Sequence, residues 1–196
     1  MKCDEHKKRI AIFASGSGTN TEAIIQYFEN SDDICVASVF CNKPDAYVLT
    51  RAKNHYIPAF TFNKSDLYKT NRVLDLLHEQ KADYIVLAGF LWLIPTHIIK
   101  AFNNRIINIH PALLPDYGGK GMYGSRVHQK VWENGETETG ISIHLVNEKY
   151  DEGRIIFQST INIEREDTPE LIAAKVHELE YEHYPRVIEQ FIRSDV

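Results

Sequence analysis

Arg9-Ile10-Ala11-Ile12-Phe13-Ala14-Ser15-Gly16-Ser17-Gly18-Thr19-Asn20 is the stretch on which the fold turns. Its first six residues form a short apolar run of the kind buried on both faces of a parallel sheet. The glycine turn leads into residues 22–28, where Ala23, Ile24, Tyr27 and Phe28 fall at helical spacing. Strand, glycine turn and helix make the opening unit of an α/β fold. Glycine lets the backbone approach a ligand, Thr19 or Asn20 is placed to cap the helix, and the free N–H groups of its first turn favour an anion. The turn is not a P-loop, because no Gly-Lys-Ser/Thr occurs in it, and Thr21 breaks the third glycine of G-x-G-x-x-G. A dinucleotide site also wants an acid after the second strand. That strand, about 34–40, runs instead into Cys41-Asn42-Lys43-Pro44. The turn is either a monophosphate cradle or a plain tight βα connection.

The alternation continues outward from there. Residues 45–54 read as a helix, 57–62 as a strand, 66–80 as a helix carrying Leu67, Val73, Leu74 and Leu77, and 83–88 as an apolar strand. Pro95 opens a short helix. A helix over 126–133 precedes a strand at 140–146, with Ile141, Ile143 and Leu145 on one face and Ser142 and His144 on the other. A polar turn holding Asp151 and ending at Gly153 returns the chain as a strand over 154–163, an antiparallel hairpin. Thr168-Pro169-Glu170 starts a helix. It buries Leu171, Ile172, Val176 and Leu179, bends before Pro185 and resumes with Val187, Ile188, Phe191 and Ile192. The expected fold class is α/β, a Rossmann-like, mostly parallel twisted sheet with helices on both faces and an antiparallel C-terminal hairpin. Residues 1–196 read as one domain with halves at about 9–100 and 101–196.

Composition narrows the function classes. A net charge of −5 and no dense Lys/Arg run argue against nucleic acid as the main partner. Cys3, Cys35 and Cys41 form no C-x-x-C pair and read as free thiols in a reducing compartment. The nine histidines show no metal-ligand spacing, so no metal is expected. No apolar run is long enough for a bilayer. The expectation is a cytoplasmic protein acting on small molecules, with neither nucleic acid nor membrane as partner, as a monomer or homodimer.

The chemistry is expected around Arg105-Ile106-Ile107-Asn108-Ile109-His110-Pro111-Ala112-Leu113-Leu114-Pro115. In a strand Asn108 and His110 share one face while Ile107 and Ile109 point into a core, and Pro111 stops the strand just beyond them. In an open α/β sheet that carboxyl end is where ligands bind. Alone, such a pair is more often a satisfied structural contact than a catalytic one. Its setting favours chemistry: the glycine turn, the strand end at Ala88-Gly89-Phe90, Asp151, and a loop with Gly118, Gly119, Gly121 and Gly124 lying over the site. The apolar stretch 89–95 is either buried packing or the wall of a pocket for a flat ring.

Taken together, the Ser-Gly-Ser-Gly-Thr-Asn turn, Leu87-Ala88-Gly89-Phe90, Asn108 to Pro115 and Tyr150-Asp151-Glu152-Gly153 resemble the phosphoribosylglycinamide formyltransferase family of folate-dependent enzymes. The resemblance implies formyl transfer from 10-formyltetrahydrofolate as co-substrate to the amine of 5′-phosphoribosylglycinamide. It implies catalytic Asn108, His110 and Asp151, with the Asn108 amide and an imidazolium at His110, kept charged by Asp151, as donors to the developing oxyanion. Gly18, Thr19, Asn20 and Glu180 would hold the phosphoribosyl substrate, giving the N-terminal half the phosphate and the C-terminal half the folate and the chemistry. The backbone of Leu91, Trp92, Leu93 and Ile94 would line the pterin pocket, and Asn108 and Lys64 would also contact the formyl folate. The chain departs from the family's pattern in carrying Trp92 where an arginine is common, Lys64 and Ser65 in place of the usual arginine before the third helix, and a glycine loop about five residues longer that includes Lys120. Lys120 is expected to add a phosphate or carboxylate contact. Sister enzymes share the Asn, His and Asp: a methionyl-tRNA formyltransferase would need an RNA-binding domain and a formyltetrahydrofolate deformylase a regulatory one. A non-catalytic nucleotide-binding module would not need His110 near Asp151.

Overall fold

The computed structural model describes residues 3–194. Seven strands form one sheet: β1 (Lys8–Ala14), β2 (Ile34–Cys41), β3 (Ala59–Thr61), β4 (Tyr84–Leu87), β5 (Ile106–His110), β6 (Glu138–Leu145) and β7 (Ile155–Asn162). Their order is β3-β2-β1-β4-β5-β6-β7. The first five are parallel and the last two antiparallel, as the sequence leads one to expect.

Helices cover both faces. Ile10, Ile12 and Val86 point to α1 (Thr19–Tyr27), α2 (Val48–Asn54) and α7 (Pro169–Ser194), in a core with Ile24, Val48 and Val176. Ala11, Phe13 and Ile85 point to α3 (Lys64–Tyr68), α4 (Arg72–Glu79) and α5 (Thr96–Ala101), in a core with Leu67, Leu77 and Ile98. Alternate residues of β1 thus serve opposite cores, which is why its sequence is apolar throughout. A smaller cluster seats α6 (Ser125–Glu133) through Val127 and Val131 on Ala112.

Several local expectations are corrected. The helix expected over 66–80 is two. An Asn63–Asp66 capping box starts the first, while the Thr70 hydroxyl donates to the Asp66 carbonyl at 3.1 Å and accepts the Arg72 N–H at 3.3 Å, dividing the run. The C-terminal helix runs unbroken from Pro169 to Ser194 with Pro185 inside it. Leu171 is half exposed rather than facing the core. Neither Thr19 nor Asn20 caps α1, whose N-cap is Gly18 in the left-handed conformation. Cys3 and Cys35 are joined in a disulfide and Cys41 is the free, buried thiol. The disulfide depends on the segment before β1 folding back beside the start of β2, a tertiary path that cysteine spacing does not disclose. It removes the argument from free thiols for a reducing compartment. Among the described residues no helix is long and apolar enough to cross a membrane.

Candidate active site

After β1 the chain winds outward to β2 and β3, then crosses back to β4 and β5, so strand order reverses between β1 and β4. Such a reversal opens a crevice at the strands' carboxyl ends. The two turns bordering it are tied together: Ser15 N–H donates to the Gly89 carbonyl and Leu91 N–H to Ser15 Oγ, each at 3.1 Å. A cavity of about 610 Å³ lies there, reaching from the glycine turn past Ala88 and Leu91 to Asn108, His110 and Asp151, with residues 119–124 along one side.

At one end, Gly18 has φ 73, and a Cβ on it would lie 2.5 Å from Val48 Cγ2, so both backbone and packing require glycine. Thr19 and Asn20 are the first two residues of α1, with no side-chain cap on its first turn. The Asn20 amide donates to Glu180 Oε2 at 2.9 Å, while Asn20 Oδ1 is buried with no hydrogen-bond partner among the described residues. Burial pushes the Glu180 carboxyl up to about 7, against the hydrogen bond from Asn20. Gly18, Thr19, Asn20 and Glu180, far apart in sequence, thus stand together on one wall, joined by Lys43.

At the other end, three stretches converge. Antiparallel pairing sets Asn108 opposite His144 and His110 opposite Ser142. The β6–β7 turn carries Asp151 at φ 56, a conformation aspartate tolerates, and brings it between the two imidazoles. Asp151 Oδ2 lies 3.7 Å from His110 Nδ1, and Oδ1 lies 3.6 Å from His144 Nε2 and 3.5 Å from Asn108 Nδ2. His144 Nδ1 faces the Leu145 carbonyl at 2.8 Å, so the hydrogen-bond network puts its proton there and leaves Nε2 to accept from the Asn108 amide at 3.0 Å. One amide proton of Asn108 is thereby fixed. The other has only the long contact to Asp151 and is available to a ligand.

Two opposed effects set the charge of this group. For His110, burial lowers the pKa, and the Asp151 charge and the bond to the Tyr117 carbonyl offset this only in part, so the imidazole titrates below an ordinary histidine. The expectation that Asp151 keeps His110 charged near neutral pH is corrected: the pairing is present, but desolvation outweighs it. For Asp151, burial works upward, yet His144, His110 and the Gly119 N–H at 2.9 Å hold the carboxyl below its usual range. Asp151 is therefore the anion of the cluster.

Of the residues expected to contact folate, Asn108 and Leu91 line the cavity, whereas Trp92, Leu93, Ile94 and Lys64 do not. Trp92 packs edge-on to Phe62 and Phe90 with Lys64 Nζ 5.7 Å over its ring, and Ile94 is core. Lys120 does line the cavity. His144 is a further site residue, on the face opposite Ile143 and Leu145 as their alternation places it. Tyr117, His128 and His177 went unread because only the tertiary path brings them here.

The turn presenting Asp151 depends on Gly153, where a Cβ would fall 1.6 Å from the Leu145 carbonyl oxygen, an atom of the paired strand that cannot step aside. Gly153→Ala is expected to cost roughly 1–3 kcal/mol or more in urea unfolding.

Residues 8–188 match the formyl transferase family. The chain is 39% identical over 191 residues to a chloroplastic phosphoribosylglycinamide formyltransferase of Arabidopsis thaliana, spanning 94% of this chain and 65% of that protein. It is 36% identical over 192 residues to phosphoribosylglycinamide formyltransferase of Bacillus subtilis, spanning 94% of this chain and 95% of the relative. The crystal structure of phosphoribosylglycinamide formyltransferase from Bacillus halodurans superposes with a TM-score of 0.85 at 37% identity, covering 94% of this chain and 95% of that one.

Proposed function

The chain belongs to the formyl transferase family, and from that premise we propose that it transfers a formyl group from 10-formyltetrahydrofolate to the amine of 5′-phosphoribosylglycinamide, yielding formylglycinamide ribonucleotide and tetrahydrofolate in de novo purine biosynthesis. The observation that carries this reading is the convergence of Asn108, His110 and Asp151 at one end of a cavity whose other end is a helix N-terminus entered through Gly18. An oxyanion site and an anion site share one crevice.

The formyl folate, when bound, supplies a one-carbon unit already at the oxidation level of formate. The residues of this chain do the rest. Attack by the amine forms the new C–N bond and places negative charge on the formyl oxygen; collapse of this adduct breaks the bond between the formyl carbon and the folate nitrogen, which leaves with the proton the amine gives up, passed through His110 or a water. The free amide proton of Asn108 and a proton on His110 Nδ1 are the donors that meet it. At 3.7 Å, Asp151 lies beyond a hydrogen bond from Nδ1, so it favours the imidazolium by charge without consuming the N–H. At the far wall, Gly18, Thr19 and the α1 N-terminus receive the phosphate. Glu180 and the unpartnered Asn20 Oδ1 accept from the sugar or glycinamide groups. Ala88, Phe90, Leu91, Met122 and Tyr123 give the same cavity apolar surface suited to a flat ring. The N-terminal half thus binds the phosphate and shares the folate surface through Ala88, Phe90 and Leu91, while the C-terminal half adds Met122 and Tyr123 to that surface, Glu180 to the other substrate's site, and the reacting groups. A cytoplasmic location, small molecules as the only partners, and a monomeric or dimeric state belong to the same proposal.

The test is turnover with each substrate alone and with both. Tetrahydrofolate release that needs both substrates, with formylated amine formed in equal amount, is expected. Release with formate and no amine would instead mark a deformylase. In the same assay, Lys120→Ala is expected to raise KM for one substrate by roughly threefold to tenfold, the scale of one partly exposed charged contact, with kcat within about twofold. Unchanged KM values for both would remove Lys120 from the binding surface.

A further inference from the structure

Tyr117 lies in the segment after β5 with φ 55, a left-handed backbone conformation that a bulky side chain rarely adopts. It is held there from outside. Its hydroxyl donates to Glu136 Oε1 and accepts from Asn134 Nδ2 at 2.8 Å, and its ring packs on Ala112, Val127 and Val131. At its other end, the Tyr117 carbonyl accepts the Nε2–H of His110 at 2.7 Å. Two residues on, Gly119 N–H donates to Asp151 Oδ2 at 2.9 Å. Between them Gly118 passes so close that a Cβ would lie 2.6 Å from Leu114 Cδ2 and 3.3 Å from Asp151 Cβ. One short strap touches both members of the His110–Asp151 pair.

We propose that Tyr117 is a positioning residue for His110: clamped through its phenol to Asn134 and Glu136, it aims its carbonyl at Nε2 and thereby fixes the tautomer and ring orientation that turn Nδ1 toward Asp151 and the cavity. A carbonyl can only accept, so Nε2 carries its proton in both charge states and Nδ1 becomes the single atom where a proton comes and goes. Without that acceptor the proton of the neutral ring could move to Nδ1, or the ring could flip and present the wrong nitrogen. The other groups facing His110 do not supply the constraint. Asp151 and His144 lie on the Nδ1 side of the ring, and His128 of α6 and His177 and Glu180 of α7 line the same cavity without a hydrogen bond to Nε2 among the described residues.

The proposal rests on the formyl-transfer reading for its kinetic consequence but has a readout of its own. Nitrogen-15 NMR of histidine-labelled protein, with His110→Gln to assign the signal, reports the tautomer directly. The wild type is expected to show His110 as the Nε2–H form. Tyr117→Phe, which keeps the ring packing, and the Asn134→Ala, Glu136→Ala pair, which keeps Tyr117, should each give a mixture of tautomers. Each should lower kcat by roughly threefold to tenfold, the scale of one orienting hydrogen bond, with KM within about twofold, and move the high-pH limb of kcat to lower pH. Combining them should add little, since both release one clamp. A tautomer and limb that stay as in the wild type while Tm alone falls would reduce Tyr117 to a structural role and overturn the proposal. If the wild type formed no formylated amine, the functional reading would fail, while the NMR result would still decide for or against the clamp.

Discussion

Replacing either Asn108 or His110 with alanine is expected to lower kcat by on the order of a hundredfold or more, with much smaller changes in KM. The reason lies in when each donor is used. The substrate carbonyl carries little charge before attack, so a donor aimed at its oxygen contributes mainly as negative charge develops, and its loss appears in turnover rather than in binding. The effect on folding is expected to be smaller. Asn108 is only partly buried, and its structural bond to His144 is one hydrogen bond at 3.0 Å. His110 is buried, so His110→Gln, retaining a donor of similar size, is the companion variant that separates chemistry from packing. The double alanine variant should lose far less than the product of the single losses, because the donors act on one atom. Kinetics near wild type for either single variant would reject the assigned roles.

The second large effect is expected at Asp151. Asp151→Asn preserves an acceptor for the Gly119 N–H and removes the charge 3.7 Å from His110 Nδ1. That charge opposes the burial that already holds the His110 pKa below the ordinary histidine value, so removing it lowers the pKa further. The donor form is the imidazolium, whose population falls as pH rises through the pKa. The high-pH limb of kcat therefore moves to lower pH, and turnover at neutral pH falls by on the order of tenfold. Activity at pH below both limbs should recover part of the loss. A profile that drops in height without moving would show that Asp151 does not act through the charge on His110.

How much of this was legible in the sequence depends on how local the cause is. The β1–α1 unit could be read because apolar run, glycines and helical spacing are contiguous, and β5 because alternation and Pro111 determine which face Asn108 and His110 share and where the strand stops. Asp151 could be placed in a turn. That it sits between two imidazoles follows from the register Asn108↔His144 and from the hairpin, which no single stretch encodes. The charge state of His110 is not legible for a related reason: the attractive partner is visible as a residue type, whereas desolvation depends on what folds over the site. Trp92 and Ile94 lie beside Leu91 in sequence, but the chain turns them into the aromatic and aliphatic core. Thr70 divided a helix whose apolar spacing looked continuous, because a hydroxyl bonding its own backbone leaves no trace in hydrophobic periodicity.

The claim beneath all of this is that one formyl carbon sits where Asn108, His110 and Asp151 meet, with the phosphate at the start of α1. A crystal structure with phosphoribosylglycinamide and a non-transferable formyl folate analogue measures that directly. The account predicts the formyl oxygen within hydrogen-bonding distance of Asn108 Nδ2 and His110 Nδ1, and phosphate oxygens on the N–H groups of residues 18–20. A formyl group out of reach of all three side chains, or a phosphate bound away from the glycine turn, would contradict it.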